Sequence, residues 1–338
     1  MRIGIDVMGG DNAPQAILDG ALSGLQFLDE GDQLVLFGDQ KAIESWLEEN
    51  NCSDPRIEFV WTTQEVAMDE SPVEAVRTKT DSSLVKVCRE ASRKSEHGQL
   101  DVVISAGNTG AFVAAAQMHM RRLPAVARPG IAAVIPTFTG PVTFIDVGAN
   151  IEPKPHHLMQ YGVMGTVYAN QVLGIESPRV GLMNVGGEEH KGTEDLKKAR
   201  DMMRDCDAVN YIGYVEGRAV FDGAADVVVS DGVTGNVTLK LAEGLSSGII
   251  KKLAAGALEV DPALAEQFKA IVKQLYKEYD YHEYGGAPLM GVNGICLICH
   301  GSSEARTIAN AIGRARRFVM SGVNDAIQEI LGSVEVEA

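Results

Sequence analysis

No apolar run in the sequence approaches the roughly 18 residues that a membrane-spanning helix requires. Arg2 is followed at once by IGIDVMGGDN, where Asp6, Asp11 and the glycines interrupt any secretory leader. The chain is therefore expected in the cytoplasm. Aromatic residues are scarce, at 6%, and the cysteines number only five, at 52, 88, 206, 296 and 299. In a reducing compartment they are expected as free thiols. Positive charge is also in short supply: across 338 residues, 30 lysines and arginines face 46 aspartates and glutamates, a net charge of −16. Such a field repels a phosphate backbone and excludes nucleic acid as a partner. Small anions remain within reach of backbone amides at helix N-termini.

The common cofactor and nucleophile signatures are missing too. No G-x-G-x-x-G follows an apolar run, which removes the dinucleotide fingerprint. GEEHKGT (187–193) approaches a P-loop, but Lys191 precedes Gly192 instead of following it, and Glu188 and Glu189 would repel phosphates. There is no G-x-S-x-G elbow and no H-E-x-x-H. His156 and His157 open a helical stretch, where neighbouring side chains diverge by about 100°, so no metal is expected there. CLICH (296–300) spells the C-x-x-C-H of c-type haem attachment. Yet ICLIC alternates like a short buried strand whose cysteines act as small hydrophobes, leaving His300 at the strand end. What remains is direct transfer between bound substrates, driven by positioning and charge stabilisation.

Ten short apolar runs are present: RIGIDV, QLVLF, RIEFV, DVVIS, IAAVI, VTFIDV, RVGLM, NYIGYV, DVVVS and ICLIC. Nearly all are followed by helical spacing, which argues for a doubly wound α/β/α sandwich on a mostly parallel sheet. No linker divides the chain, so residues 1–338 read as one catalytic domain. The break is at 248–284, where two helices joined near Asp261-Pro262 form an excursion that contacts its own domain, a second subunit, a membrane or a partner. Many of the 36 glycines gather in six turns: 9–14, 105–111, 146–154, 184–194, 230–238 and 300–305. These are expected on one sheet edge, where ligands of such folds bind.

Taken in order, RIGIDVMGGDNAP, ISAGNTGA, FIDVGAN, LMNVGGEEHKG, FDGAADVVVSDGVTGNV, YGGAPLMGVNG and HGSS resemble the bacterial phosphate acyltransferase family, the acyl-carrier-protein:phosphate acyltransferases of phospholipid synthesis. The resemblance implies a fold similar to isocitrate and isopropylmalate dehydrogenases, a homodimer and no cofactor. It implies transfer of a fatty acyl group from acyl carrier protein to inorganic phosphate, giving acyl phosphate for a membrane-bound acyltransferase. Phosphate would sit in the loops around Asn108, Thr109 and Gly110 and around Thr234, Gly235 and Asn236. Lys191, Asn236 and His300 are the candidates for phosphate charge and oxyanion stabilisation. Asp6, Gly9, Gly10, Asp146 and Asn150 are further binding candidates, with loop bracing as the alternative.

The excursion tip carries Glu259, Asp261 and Glu266, so peripheral membrane association is expected to be weak, with only partial recovery in vesicle flotation. Docking an acidic carrier protein on an acidic chain needs a local basic patch. Arg121 with Arg122, Lys269 with Lys273, and Arg314 with Arg316 and Arg317 are the choices. A short-chain phosphotransacetylase, a dehydrogenase on the same fold and a lipid-precursor scaffold are the alternatives; competition by acetyl-CoA would separate the first.

Overall fold

The computed structural model describes residues 1–334 apart from 93–94, 96–97, 261 and 280–284. All ten apolar runs form strands, and an eleventh joins them. They are β1 (Arg2–Asp6), β2 (Gln33–Gly38), β3 (Ile57–Trp61), β4 (Val102–Ser105), β5 (Gly130–Thr137), β6 (Gly140–Ile145), β7 (Arg179–Met183), β8 (Asn210–Val215), β9 (Val227–Val229), β10 (Ala287–Met290) and β11 (Ile295–Ile298). β10 escaped the sequence reading because APLM has four residues, a proline and no alternation. The helices are α1 (Gln15–Gly24), α2 (Gln40–Asn50), α3 (Pro72–Thr78), α4 (Ser83–Glu90), α5 (Thr109–Ala115), α6 (Pro155–Gln171), α7 (Glu194–Arg204), α8 (Gly217–Phe221), α9 (Gly232–Val260), α10 (Pro262–Tyr279), α11 (Ala305–Ser321) and α12 (Val323–Ser333).

One sheet holds all eleven strands in the order β3-β2-β1-β4-β11-β10-β5-β6-β9-β7-β8. Successive residues feed opposite faces, as pleating requires. Ile3, Ile5, Val102, Ile104, Ala132, Val134, Val227 and Val229 enter a core shared with α1, α2, α6, α7, α11 and α12. Val103, Ile131, Ala133, Val228, Cys296 and Ile298 enter a second core with α3, α4, α5 and α8. Coverage on both faces explains why the strands read as nearly continuous apolar runs. The expected doubly wound sandwich is thus observed.

The six glycine-rich turns do not leave one common edge. The pairings β11–β10, β10–β5 and β5–β6 are antiparallel and the other seven are parallel. Three reversals set β1, β4 and β11 running against β6, β9 and β7. The cause is local: Phe138 and Thr139 alone join β5 to β6, and residues 291–294 join β10 to β11, spans that permit only hairpins. Register brings the two half-sheets back together. Ile298 pairs with Ala287 and Leu289 with Ile131, so β11 ends level with Ala133. Ile145 pairs with Ala132, so β6 ends almost level with it from the other direction. The carboxyl ends of both halves therefore converge across β5 and β10.

The excursion also begins earlier than expected. α9 is one helix of 29 residues starting at Gly232, not at 248. Asp261 and residues 280–284 lie outside the described residues.

Arg179 at the start of β7 forks onto Asp226 at the start of β9, with Nε to Oδ2 and Nη2 to Oδ1 both at 3.0 Å, and its backbone N–H donates to Oδ2 at 2.8 Å. Burial alone would raise the Asp226 carboxyl, but this fork outweighs it and holds the group below the usual 3.8. Its contribution is present above that value and lost as pH falls through the lower folded value. Asp226→Asn is expected to lower stability by about 2 kcal/mol at pH 7, a gap that narrows in urea unfolding as the pH is taken progressively below 3.8.

Candidate active site

Where the two half-sheets converge lies a pocket of about 390 Å³. Asp11, Thr109, His300 and Gly301 approach from the loops after β1, β4 and β11, while Val147 and Gly148 after β6 and Asn236, Leu239, Lys240 and Glu243 of α9 approach from the other half. Ile131, Ala133, Val134 and Ile298 form an apolar wall between them. An apolar cleft with a few converging polar groups is the usual form of a small-molecule site.

His300 reaches this pocket because β11 ends at Ile298, and Cys299 then donates its N–H to the Ser105 carbonyl at 2.8 Å. The His300 Nδ1 accepts from the Ser302 N–H at 3.2 Å and lies 2.7 Å from the Ser302 hydroxyl. A neutral ring so held carries its proton on Nε2. Cys296 and Cys299 are buried free thiols. Burial pushes the Cys299 thiol up to about 12 and raises Cys296 further. Both side chains are packed into the apolar cores, Cys296 within β11 and Cys299 just beyond its end.

The β1, β4 and β11 loops are locked together by glycine. Gly10 has φ +113°, and a Cβ there would meet the carbonyls of Ala106 and Gly301 at 3.1 Å. Asp11 donates its N–H to Gly301 O at 2.7 Å. Beneath Gly9 lies the buried Asp6, whose Oδ2 accepts from the Ser105 hydroxyl at 2.7 Å. Burial raises its carboxyl, opposed by hydrogen bonds from Ser83, Ser105, Met8 and Gly9. Asn108 caps α5 through the Ala111 N–H, and its amide donates to the carbonyls of Ala67, Met68 and Glu70. Gly110 sits against Pro72. The structure thus places Thr109 on the pocket, and Asp6, Gly9, Gly10, Asn108 and Gly110 behind it as bracing.

The other half is braced by Asp146. Its Oδ1 accepts from the N–H groups of Ile131, Gly148 and Ala149 at 2.9–3.1 Å, and its Oδ2 from the Asn150 N–H at 2.7 Å and the Asn150 amide at 3.3 Å. Burial pushes this carboxyl up, against the pull of those donors. Asn150 also donates to Pro129 O at 2.6 Å. At the start of α9, the amides expected to receive phosphate have internal partners. Gly232 donates to Asn150 O, Thr234 to the Asp231 carboxylate and Gly235 to the Asp231 carbonyl. Asn236 alone of that group lines the pocket. Lys191 does not line it: its ammonium pairs with Glu188 at 2.7 Å in the loop before α7.

Sequence reasoning missed Leu239, Lys240 and Glu243. Their signal was present, since 236, 239, 240 and 243 fall at i, i+3, i+4 and i+7 on one helix face. Lys240 and Glu243 pair at 3.3 Å. Met68 was missed as well. Nothing in its own segment marks it, because Asn108, forty residues away, holds that loop in place.

The fold of this two-halved sheet is shared with solved phosphotransacetylases and with a putative dehydrogenase. A phosphotransacetylase from Streptococcus pyogenes superposes with TM-score 0.60 at 16% identity, covering 95% of this chain and 94% of its own. A putative 4-hydroxythreonine-4-phosphate dehydrogenase from Salmonella typhimurium gives 0.52 at 16%, covering 94% and 99%. Within that class, residues 1–326 match the family described as fatty acid synthesis protein. The phosphate acyltransferase of Heliobacterium modesticaldum is 43% identical over 347 residues, 99% of each chain. The chain belongs to this family of acyltransferases.

Proposed function

We propose that the pocket transfers a fatty acyl group from the thioester of acyl carrier protein to inorganic phosphate, releasing acyl phosphate for phospholipid synthesis. The observation that carries this reading is the pocket's make-up: an apolar wall for an alkyl chain beside a polar corner of Thr109, Asn236, Lys240 and His300. A phosphate oxygen attacks the thioester carbonyl, and the tetrahedral oxyanion needs donors that are in place beforehand. The His300 Nε2–H and the Asn236 amide supply them. Collapse breaks the C–S bond, and the thiolate takes up the proton that hydrogen phosphate gives up. Thr109 and Lys240 hold the phosphate. Lys191, paired outside the lining, is assigned no step.

The enzyme acts as a homodimer in the cytoplasm in this reading. α9 supports it with a row at four-residue spacing, Val237, Leu241, Leu245 and Ile249, each half or more exposed, the ridge by which helices interlock. No described helix is long and apolar enough to cross a membrane, and peripheral membrane contact is weak.

The test is phosphate-dependent thiol release from palmitoyl carrier protein, run beside acetyl-CoA and with phosphate omitted. Release requiring both phosphate and the carrier-bound acyl group is expected. Preference for acetyl-CoA would establish a short-chain phosphotransacetylase, and no release from folded protein would overturn acyl transfer to phosphate.

A further inference from the structure

Residues 121–131 and 147–160 contain Arg121, Arg122, Arg128 and Lys154 and a single acid, Glu152, in a chain of net charge −16. All four cations are exposed, and among the described residues none forms an ion pair. The other basic clusters are already neutralised in part. Arg316 pairs with Asp29 at 2.8 Å and with Asp32, and Lys269 pairs with Glu266 at 3.1 Å.

The two segments form one surface. Asn150 donates to Pro129 O at 2.6 Å, Ala127 donates to Gln160 at 2.8 Å, and Gln160 donates back to Ala125 O at 2.8 Å. His157 lies within this surface, its Nδ1 accepting from the Lys154 N–H at 3.0 Å. Burial and the positive charges of Arg128, Lys154 and Arg122, with His156 beside it, bring it down to about 4. The surface also adjoins the pocket, since Ile131, Val147 and Gly148 belong to these same segments and line it.

We propose that Arg122, Arg128 and Lys154 form the docking surface for the acidic protein that delivers the acyl thioester, next to the β6 side of the pocket. The inference rests on the carrier-dependent reading above. A protein fits better than a bilayer because Ile151 is the only large exposed apolar side chain in the two segments, enough for an anchor in a polar interface but not for insertion among lipids. Opposite charge here raises the encounter rate and fixes orientation while leaving the chemical step alone.

The experiment compares the parent with Arg122→Glu/Arg128→Glu, using palmitoyl carrier protein and palmitoyl-pantetheine as alternative donors. For the double variant, KM for the carrier substrate is expected to rise roughly tenfold at low salt, with kcat unchanged and the difference shrinking at high salt. Turnover of the pantetheine thioester is expected to match the parent. An unchanged carrier KM overturns the docking surface, as does an equal loss with both donors in a variant whose melting is unaltered. Lost binding to anionic vesicles with normal carrier KM assigns the patch to lipid and overturns it too. If the double variant melts early, Arg128→Gln and Lys154→Gln singly take its place, each expected to raise carrier KM about two- to threefold. A parent that releases no thiol from the carrier substrate defeats the acyl-transfer reading itself, a result distinguishable from all of these.

Discussion

Gly235→Ala is expected to destabilise the protein by about 3 kcal/mol and to lower turnover by about 100-fold. A Cβ at position 235 would stand 2.0 Å from the Asp146 carbonyl oxygen and 2.7 Å from the Ser230 hydroxyl. The carbonyl cannot step aside. Asp146 is held by five N–H contacts through its carboxylate, its own N–H donates to Ser230 O at 3.1 Å, and its carbonyl accepts from the Ser230 hydroxyl at 3.0 Å. α9 must therefore move away from the β6 loop. The next residue along that helix is Asn236, so the helix carries a pocket donor with it, and shifts of about 1 Å are enough to cost two orders of magnitude in a positioned reaction. Urea unfolding and thiol release read the two effects separately. Parent stability with parent turnover would show that α9 and the β6 loop are not the fixed frame described above. The neighbouring Gly244, where a Cβ meets nothing within 4 Å, is the control: Gly244→Ala is expected to be neutral or slightly stabilising, since alanine is the better helix former by about 1 kcal/mol.

The same contact shows why the site was only partly legible beforehand. Strand runs such as DVVIS and DVVVS announce themselves because burial on both faces demands apolar residues at every position. Turn glycines announce themselves too, and Thr109, Asn236 and His300 were found through them. What the turns did not disclose was direction. A four-residue strand with a proline, β10, and a two-residue hairpin after β5 reverse half the sheet, and neither has a periodic pattern to betray it. Polar residues in such turns also look alike whether they face a ligand or the backbone. Asn108 and Asp146 were candidates for substrate because short polar side chains beside glycine suit anions. In the fold each has its hydrogen-bonding capacity taken up by neighbouring amides and carbonyls, and each holds a loop that the other side of the pocket depends on. Lys191 resembles a phosphate ligand in sequence, yet Glu188, three residues before it, gives its ammonium a local partner.

His300→Ala is expected to lower kcat by about 10²–10³ with little loss of stability, the usual effect of removing one oxyanion donor. Its stability change should be small because the ring's Nδ1 bonds to Ser302, two residues away in the same exposed loop. The conservative variant separates donor from base. Glutamine offers an N–H near the position of Nε2 but cannot accept a proton at neutral pH, so His300→Gln should recover to within about tenfold of the parent if the ring donates to the oxyanion. If the ring instead takes a proton from phosphate, glutamine will be as slow as alanine, and the parent's acidic limb in the pH dependence of kcat will vanish in both. Asn236→Ala supplies the second half of the argument. Two donors to one oxyanion act as a unit, so the His300→Ala/Asn236→Ala enzyme should be less impaired than the product of the single effects. Fully multiplicative losses would place the two side chains on different atoms of the reaction, with Asn236 then serving the phosphate alongside Thr109 and Lys240.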